Sequence, residues 1–259
     1  MRRNRTACRT CGRETGIVRE VTRRRSDHAF DGDAQACTGG HRRWYREGCA
    51  LAFALELVGE RWTLLIVREL MLGPCRFNEL RLALPGISAK VLTERLDGLE
   101  GRGILGPVWL PPPLAVSAYA LSPKGAGLAP VLRELVRWAW PLEGRDGDLP
   151  LTPVSLMLAL HALVDPELIG DLAAWIVFEV AERRFAARLT GDGLDIHPCS
   201  ESLTEPDLHF RAPRAVDYLS LFTGKVALGD EGCVVTLCGD RALAGRVIDL
   251  MVRSLARER

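Results

Sequence analysis

The stretch RFNELRLALPGISAKVLTERLDGL, residues 76–99, decides how the front of this chain folds. Two amphipathic runs meet in it at Pro85 and Gly86, a pair that stops helices because proline lacks a backbone donor and glycine accepts left-handed angles. Ser88 stands where an N-cap belongs, and Ile87 and Leu92 have the spacing of a hydrophobic staple, so a second helix is expected to start sharply there. At about 100° per residue, Leu92, Leu96 and Leu99 share one face with Val91 at its edge, while Lys90, Thr93, Glu94 and Asp97 lie opposite. A helix exposing a hydroxyl, an ammonium and a carboxylate in its N-terminal half can enter a major groove and read base edges. The same pattern suits an ordinary helical hairpin in an all-α core, so the flanking sequence must choose between the two.

On the N-terminal side, Cys49, Leu51, Phe53, Leu55, Leu57 and Val58 make a helix with a broad apolar face, ended by Gly59. Trp62, Leu65, Ile66, Glu69 and Leu70 continue as a second helix, stopped by Gly73 and Pro74. On the C-terminal side, Gly101 and Gly103 act as breakers before two short strands predicted at 104–110 and 117–121, separated by Pro111, Pro112 and Pro113. A strand pair behind a helix-turn-helix is the pattern of a wing. Leu128, Val131, Leu132, Leu135 and Trp138 then recur at helical spacing over residues 128–140.

Taken together, residues 48–105 (GCALAFALELVGERWTLLIVRELMLGPCRFNELRLALPGISAKVLTERLDGLEGRGIL) and 119–139 (YALSPKGAGLAPVLRELVRWA) closely resemble the HxlR-type branch of the MarR-like bacterial transcription regulators. The resemblance implies a winged-helix domain over residues 49–141, with Cys49 at its proper distance from Gly59, Arg61 and Trp62. It also implies a homodimer that binds a pseudo-palindromic operator in double-stranded DNA. The helix beginning at Cys49 and the closing helix 128–140 would dimerise, setting two recognition helices about 34 Å apart, one DNA turn. Base readout then falls to Ser88, Lys90, Thr93 and Glu94, and phosphate contact to Arg76, Arg95 and Arg102. Arg95 lies near the buried edge and has a second reading, pairing with an acid of its own domain. Wings in the family usually carry a basic residue near the tip, and here the tip, PPPLAVSA, has none. Affinity is therefore expected to lean on the recognition helix or on the basic leader.

In several members of the family the cysteine at the position of Cys49 senses oxidants or electrophiles. A helix start preceded by Arg42, Arg43 and Arg46 favours the thiolate such chemistry needs. The alternative is a small apolar residue packed in a dimer core. Cys75, in the turn before Arg76, is a weaker candidate.

With 259 residues and 47% hydrophobic content, the chain can fill more than one core. Lys90, Lys124 and Lys225 are its only lysines, so 31 of the 34 basic residues are arginine, a bias that reads as genomic base composition rather than as a site. Net charge runs from +6 over residues 1–48 through +2 over 49–141 to −7 over 142–259, so the front suits polyanions and the back does not. No run of about 18 apolar residues predicts a membrane span. The N-terminal arginines are not followed by an apolar stretch, which argues against a secretory signal. Eight cysteines without a regular framework fit a reducing compartment, so a cytoplasmic protein is expected.

Residues 1–48 form a basic leader rich in Arg, Gly and Asp, too poor in large apolar groups to offset its ordering entropy, and are expected to be disordered. Cys8 and Cys11, with Cys37 and His41, could hold a tetrahedral zinc, although the 25 intervening residues are more than common knuckles use. The competing readings are a flexible arginine-rich tail, or translation that begins nearer Val18 or Val21.

Residues 142–150 have the Gly, Asp and Pro composition of a linker to a second domain, 151–259. A helix is predicted there at 154–164, strands at 176–180, 185–189, 194–196 and 208–211, and a helix carrying Val216, Tyr218, Leu219 and Phe222. A strand at 233–237 and a closing helix at 241–255 follow. The strand order, with PDLHFRAPRAVDYLSLFTGKVALGDEG (206–232) and VTLCGDRALAGRVIDLM (235–251), resembles the sterol carrier protein fold. That resemblance implies an α+β domain holding an apolar ligand between its sheet and the helix of Tyr218, Leu219 and Phe222. A closed domain that only adds dimer contacts is the alternative.

The fold class expected is α+β, a winged helix-turn-helix domain followed by a sterol carrier protein-like domain. His28, His41, His161, His197 and His209 stand in no catalytic context, and there is no phosphate loop or nucleophile elbow. Neither an enzyme nor a cofactor is expected. The preferred reading is a homodimeric, sequence-specific repressor that responds to a small apolar ligand or to cysteine oxidation. The alternative is a lipid-like ligand carrier or small-substrate enzyme working through the C-terminal domain.

Overall fold

The structure is a computed structural model and describes residues 45, 47–111, 115–144, 146, 149–181, 183–199 and 205–257. Residues 47–259 cluster as one compact unit. Its front half begins with α1 (Ala50–Val58), α2 (Thr63–Leu70), α3 (Phe77–Ala83) and α4 (Ala89–Gly101). An antiparallel pair follows, β1 (Leu105–Trp109) and β2 (Ser117–Leu121), with Pro107 opposite Tyr119. A single-turn helix, α5 (Pro123–Ala126), leads into α6 (Ala129–Ala139).

These helices begin and end where the local chemistry says they should. Gly59 closes α1 by donating its N–H to Leu55 O, and no side chain would fit there, since a Cβ would lie 2.5 Å from that oxygen. The Ser88 hydroxyl accepts from Val91 N at 3.2 Å and starts α4 one residue after the turn. Ile66, Leu80, Leu92, Leu96 and Leu99 then meet in one core, each buried to 1% exposure or less. At roughly 1.5–3 kcal/mol per buried aliphatic side chain, the three leucines of α4 hold it firmly to α2 and α3.

The back half holds α7 (Pro153–Leu163), α8 (Pro166–Ile169), β3 (Ala174–Val180), β4 (Arg183–Thr190), β5 (Gly193–Pro198), β6 (Leu208–Ala212), α9 (Ala215–Phe222), β7 (Thr236–Gly239) and α10 (Arg241–Arg257). The strands form one sheet in the order β5-β4-β3-β6-β7, antiparallel except between β3 and β6. Ile176, Phe178 and Val180 alternate inward on β3 and meet Phe185, Ala187 and Leu189 of β4 and Phe210 of β6. Residues of α7, α9 and α10 complete this second core.

The last strand differs from expectation. The predicted 233–237 strand is displaced to Thr236–Gly239, because Cys233 N still closes a turn onto Asp230 O and the ladder with β6 opens only at Thr236 opposite Arg211. Two short helices, α5 and α8, were not anticipated from the apolar periodicity, being one turn long.

The two cores are tied together at specific points. The Trp140 indole, just past α6, is buried among residues of the second core and donates to Leu255 O at 3.2 Å. Glu69 of α2, 1% exposed, accepts from the Thr152 hydroxyl at 2.8 Å, and Thr152 in turn caps α7 by accepting from Ser155 N. Burial of such a carboxylate requires partners, and Arg68 provides a charged one at 2.7 Å.

Candidate nucleic-acid interface

The outer face of α4 is where the sequence placed base readout. Lys90 projects with its side chain 87% exposed, and its ammonium lies 4.0 Å from the Glu94 carboxylate one turn on. That is a loose surface pairing in high dielectric, easily exchanged for another partner. Thr93 uses its hydroxyl proton on Ala89 O at 3.0 Å, leaving its oxygen lone pairs and methyl outward. Ser88 is occupied as an acceptor by its capping bond, and its own O–H remains a donor. Thus Lys90, Thr93 and Glu94 share one exposed helix face, with Lys90 the least constrained, while Ser88 is exposed at the N-cap just before it.

The three arginines assigned to phosphates are all engaged within the chain. Arg95 forms an ion pair with Glu60 and donates from Nε to Arg61 O at 3.2 Å. Arg102 reaches the other oxygen of Glu60 at 3.5 Å. Arg76 forks onto Glu79 at 2.9 and 2.7 Å, and that hydrogen bond holds the guanidinium above its ordinary pKa. Glu79 returns the contact by accepting from Arg76 N at 2.6 Å, completing a box around the start of α3. The internal pairing read as the alternative for Arg95 is present, and sequence alone gave no sign that Arg102 shares its acid.

Away from this face, two helices carry apolar groups in solvent. Leu51, Phe53 and Leu55 of α1 and Val131, Leu135 and Trp138 of α6 are all exposed, Trp138 by 67%. Leu132, which was placed on the same stripe, instead packs into the front core. Cys49 stands at the N-cap position of α1. It is itself exposed, and the first amides of the helix, Ala52 ahead of Leu51, lower its pKa. Arg42, Arg43 and Arg46, invoked for the same effect, lie outside the described residues, as do Cys8, Cys11, Cys37 and His41.

Cys75 does not qualify as a reactive thiol. It is 5% exposed, hydrogen-bonds Glu69 O at 3.5 Å, and burial pushes its pKa up to about 11. Tyr218 and Phe222, expected at the wall of an apolar pocket, are packed around by other aromatic rings. Both are fully buried, Tyr218 against Phe178 with centroids 5.8 Å apart and Phe222 against Phe178 and Phe210 at 6.2 and 6.3 Å, and the Tyr218 hydroxyl donates to Glu179 O at 2.9 Å. Leu219 packs partly buried against the same core. Among the described residues no group of three or more His, Cys, Asp or Glu side chains could hold a metal, and no helix is long and apolar enough to cross a membrane.

The chain shares this front half with known proteins. Residues 57–144 match the family described as HxlR-like helix-turn-helix. YvaP of Bacillus subtilis (strain 168), named as an uncharacterized HTH-type transcriptional regulator, is 41% identical over 86 residues, 33% of this chain and 80% of its own length. The HTH-type transcriptional regulator YodB of the same strain is 42% identical over 86 residues, 33% of this chain and 77% of its own. The solved structure of YodB in its reduced form is 38% identical, covering 39% of this chain and 100% of that one, with a TM-score of 0.34.

Proposed function

The chain belongs to the HxlR-like helix-turn-helix family of transcriptional regulators, and we propose that it acts as a homodimeric repressor that reads an operator through the outer face of α4. The observation that carries this reading is the division of α4 itself. Leu92, Leu96 and Leu99 are locked in the core, while Lys90, only loosely paired with Glu94, stands on the opposite face beside Thr93, with Ser88 exposed at the N-cap. In this reading Lys90 contacts a base edge, and Arg76, Arg95 and Arg102 offer phosphates the donors their acid partners leave unused. The exposed apolar residues of α1 and α6 form the dimer seam, which sets the spacing of the two reading helices.

Residues 49–141 serve in this account as the DNA-binding and dimerising part and 151–259 as a sterol carrier protein-like body behind it. Release is triggered by oxidation of Cys49 or by a small apolar ligand. Support for oxidation comes from an exposed thiol with a lowered pKa at the start of the seam helix, where a bond to the partner's thiol would alter the seam directly.

The test is a salt-titrated gel shift of the purified chain on its own upstream DNA, with and without diamide. Saturable binding that resists competitor DNA, with a retarded species of two chains, supports the reading. Equal, weak binding to any DNA, abolished by moderate salt, would overturn it in favour of non-specific charge attraction.

A further inference from the structure

Behind the helix-turn-helix lies a cleft of about 510 Å³, in the size range that holds drug-sized ligands. One wall is the reading half of the chain, with Trp62, Leu65 and the turn Leu84 and Pro85. The other comes from the end of α6, Trp140 just past it, and the middle of α7, with Leu158. The lining is almost wholly apolar and includes two indoles. Arg68 is the one charged residue among the described residues of the lining, and Thr152 and Ser155 add hydroxyls.

Arg68 gives the cleft oriented N–H donors. Its Nε and Nη2 are held at 2.9 and 2.7 Å by Glu69 Oε1, which fixes the plane of the guanidinium. Glu69 itself is 1% exposed and does not line the cleft. The remaining donors of the fork are therefore positioned by a buried anion without being consumed by it, a geometry suited to a carboxylate.

The cleft is also wired to the reading helix. Trp62 holds a left-handed backbone, φ 78°, unusual for a large side chain, and its ring comes within 3.8 Å of where a Cβ on Gly86 would sit. Leu84 O accepts from Ile87 N, the residue before the α4 cap. A molecule between Trp62, Leu84 and α7 thus touches the turn that aims α4.

We propose that this cleft is a binding site for a small, flat aromatic carboxylate, with its rings against Trp62 and Trp140 and its acid on Arg68. Occupancy moves the turn at Leu84 and Pro85 relative to α7, giving the ligand different affinities for two poses of α4. Only this last consequence rests on the regulator reading, and the binding test below uses no DNA, so the two can fail separately.

Anilinonaphthalene sulfonate is the probe, an aromatic anion that reports burial by its fluorescence, with naphthoate and its uncharged methyl ester as competitors. The full-length chain should bind the probe saturably at one site per chain, and naphthoate should displace it about tenfold more tightly than the ester. Ala159→Trp, which fills the cleft from α7, should weaken probe binding by about tenfold or more while far-UV circular dichroism stays unchanged. Arg68→Gln, which retains a donor to Glu69, should erase the preference for naphthoate over the ester, and it carries the test alone if Ala159→Trp fails to fold. Unsaturable binding, equal displacement by the two competitors in the native chain, or a folded Ala159→Trp protein with native affinity would overturn the proposal.

Discussion

Lys90 is the side chain on α4 with the most freedom, and its pairing with Glu94 at 4.0 Å is too long and too exposed to hold it. If it donates to a base edge, Lys90→Ala should weaken operator binding by about 1–3 kcal/mol and relax discrimination at one position. A footprint and affinity unchanged in a fluorescence anisotropy titration would remove Lys90 from the reading set. Glu60 makes a contrasting case, because Arg95 and Arg102 both converge on it. Neither pairing could be read from spacing, since Glu60 lies more than thirty residues before either arginine and only the folded α2 to α4 arrangement brings them together. Cys49 was legible as a helix start, and the structure adds that the amides of α1 lower its pKa. Cys49→Ser should abolish any diamide-induced release from DNA in a gel shift. Release that persists in the variant would move sensing to another thiol, with Cys75 excluded by its burial.

At the level of elements, breakers and caps decide where the front helices start and stop. The Pro85 and Gly86 turn, the Ser88 cap and the leucine stripe of α4 are all present, because each depends on interactions within a few residues. Ser88→Ala removes the hydroxyl that accepts from Val91 N and should cost about 1 kcal/mol, read as a lower midpoint in urea with an unchanged slope. No change in midpoint would mean that water satisfies the amide equally well. Where elements were misread, the cause is tertiary. The strand expected at 233–237 has the right apolar content in Cys233, Val234 and Val235, yet its register is decided by β6, which Gly239 approaches so closely that a Cβ would lie 2.3 Å from Asp207 O. Tyr218 and Phe222 recur at helical spacing, which suits a pocket wall and a core equally. The structure uses them to fill the space between α9 and the sheet.

For the molecule as a whole, the junction between the two cores was the least legible part. It depends on contacts such as Glu69 with Thr152 and Trp140 with Leu255, which no local pattern announces. Two histidines at such long-range positions give the fold a pH dependence. His161 of α7 lies beside Arg133 of α6, and burial first, then the Arg133 charge, lower its pKa below the ordinary 6.5. His209, on β6, is lowered for the same reasons, burial and then Arg211, although Glu179 at 3.1 Å pulls the other way. A histidine that is harder to protonate in the native state favours folding while it is neutral. The unfolded chain takes up protons first as pH falls through about 6.5, so that stability is fully present above 6.5 and is lost as pH drops toward the lowered native values. Urea midpoints should therefore be flat from pH 8 to 7 and fall between pH 6.5 and 5. Glu79, where burial pushes the pKa up but the bonds and charge of Arg76 outweigh it and hold it low, adds its own loss only at more acid pH, below its ordinary 4.5, so the two windows separate. His161→Gln keeps a polar side chain near Arg133 without a proton to gain and should shallow the fall above pH 5, whereas an unaltered slope would assign it to His209 and to groups elsewhere.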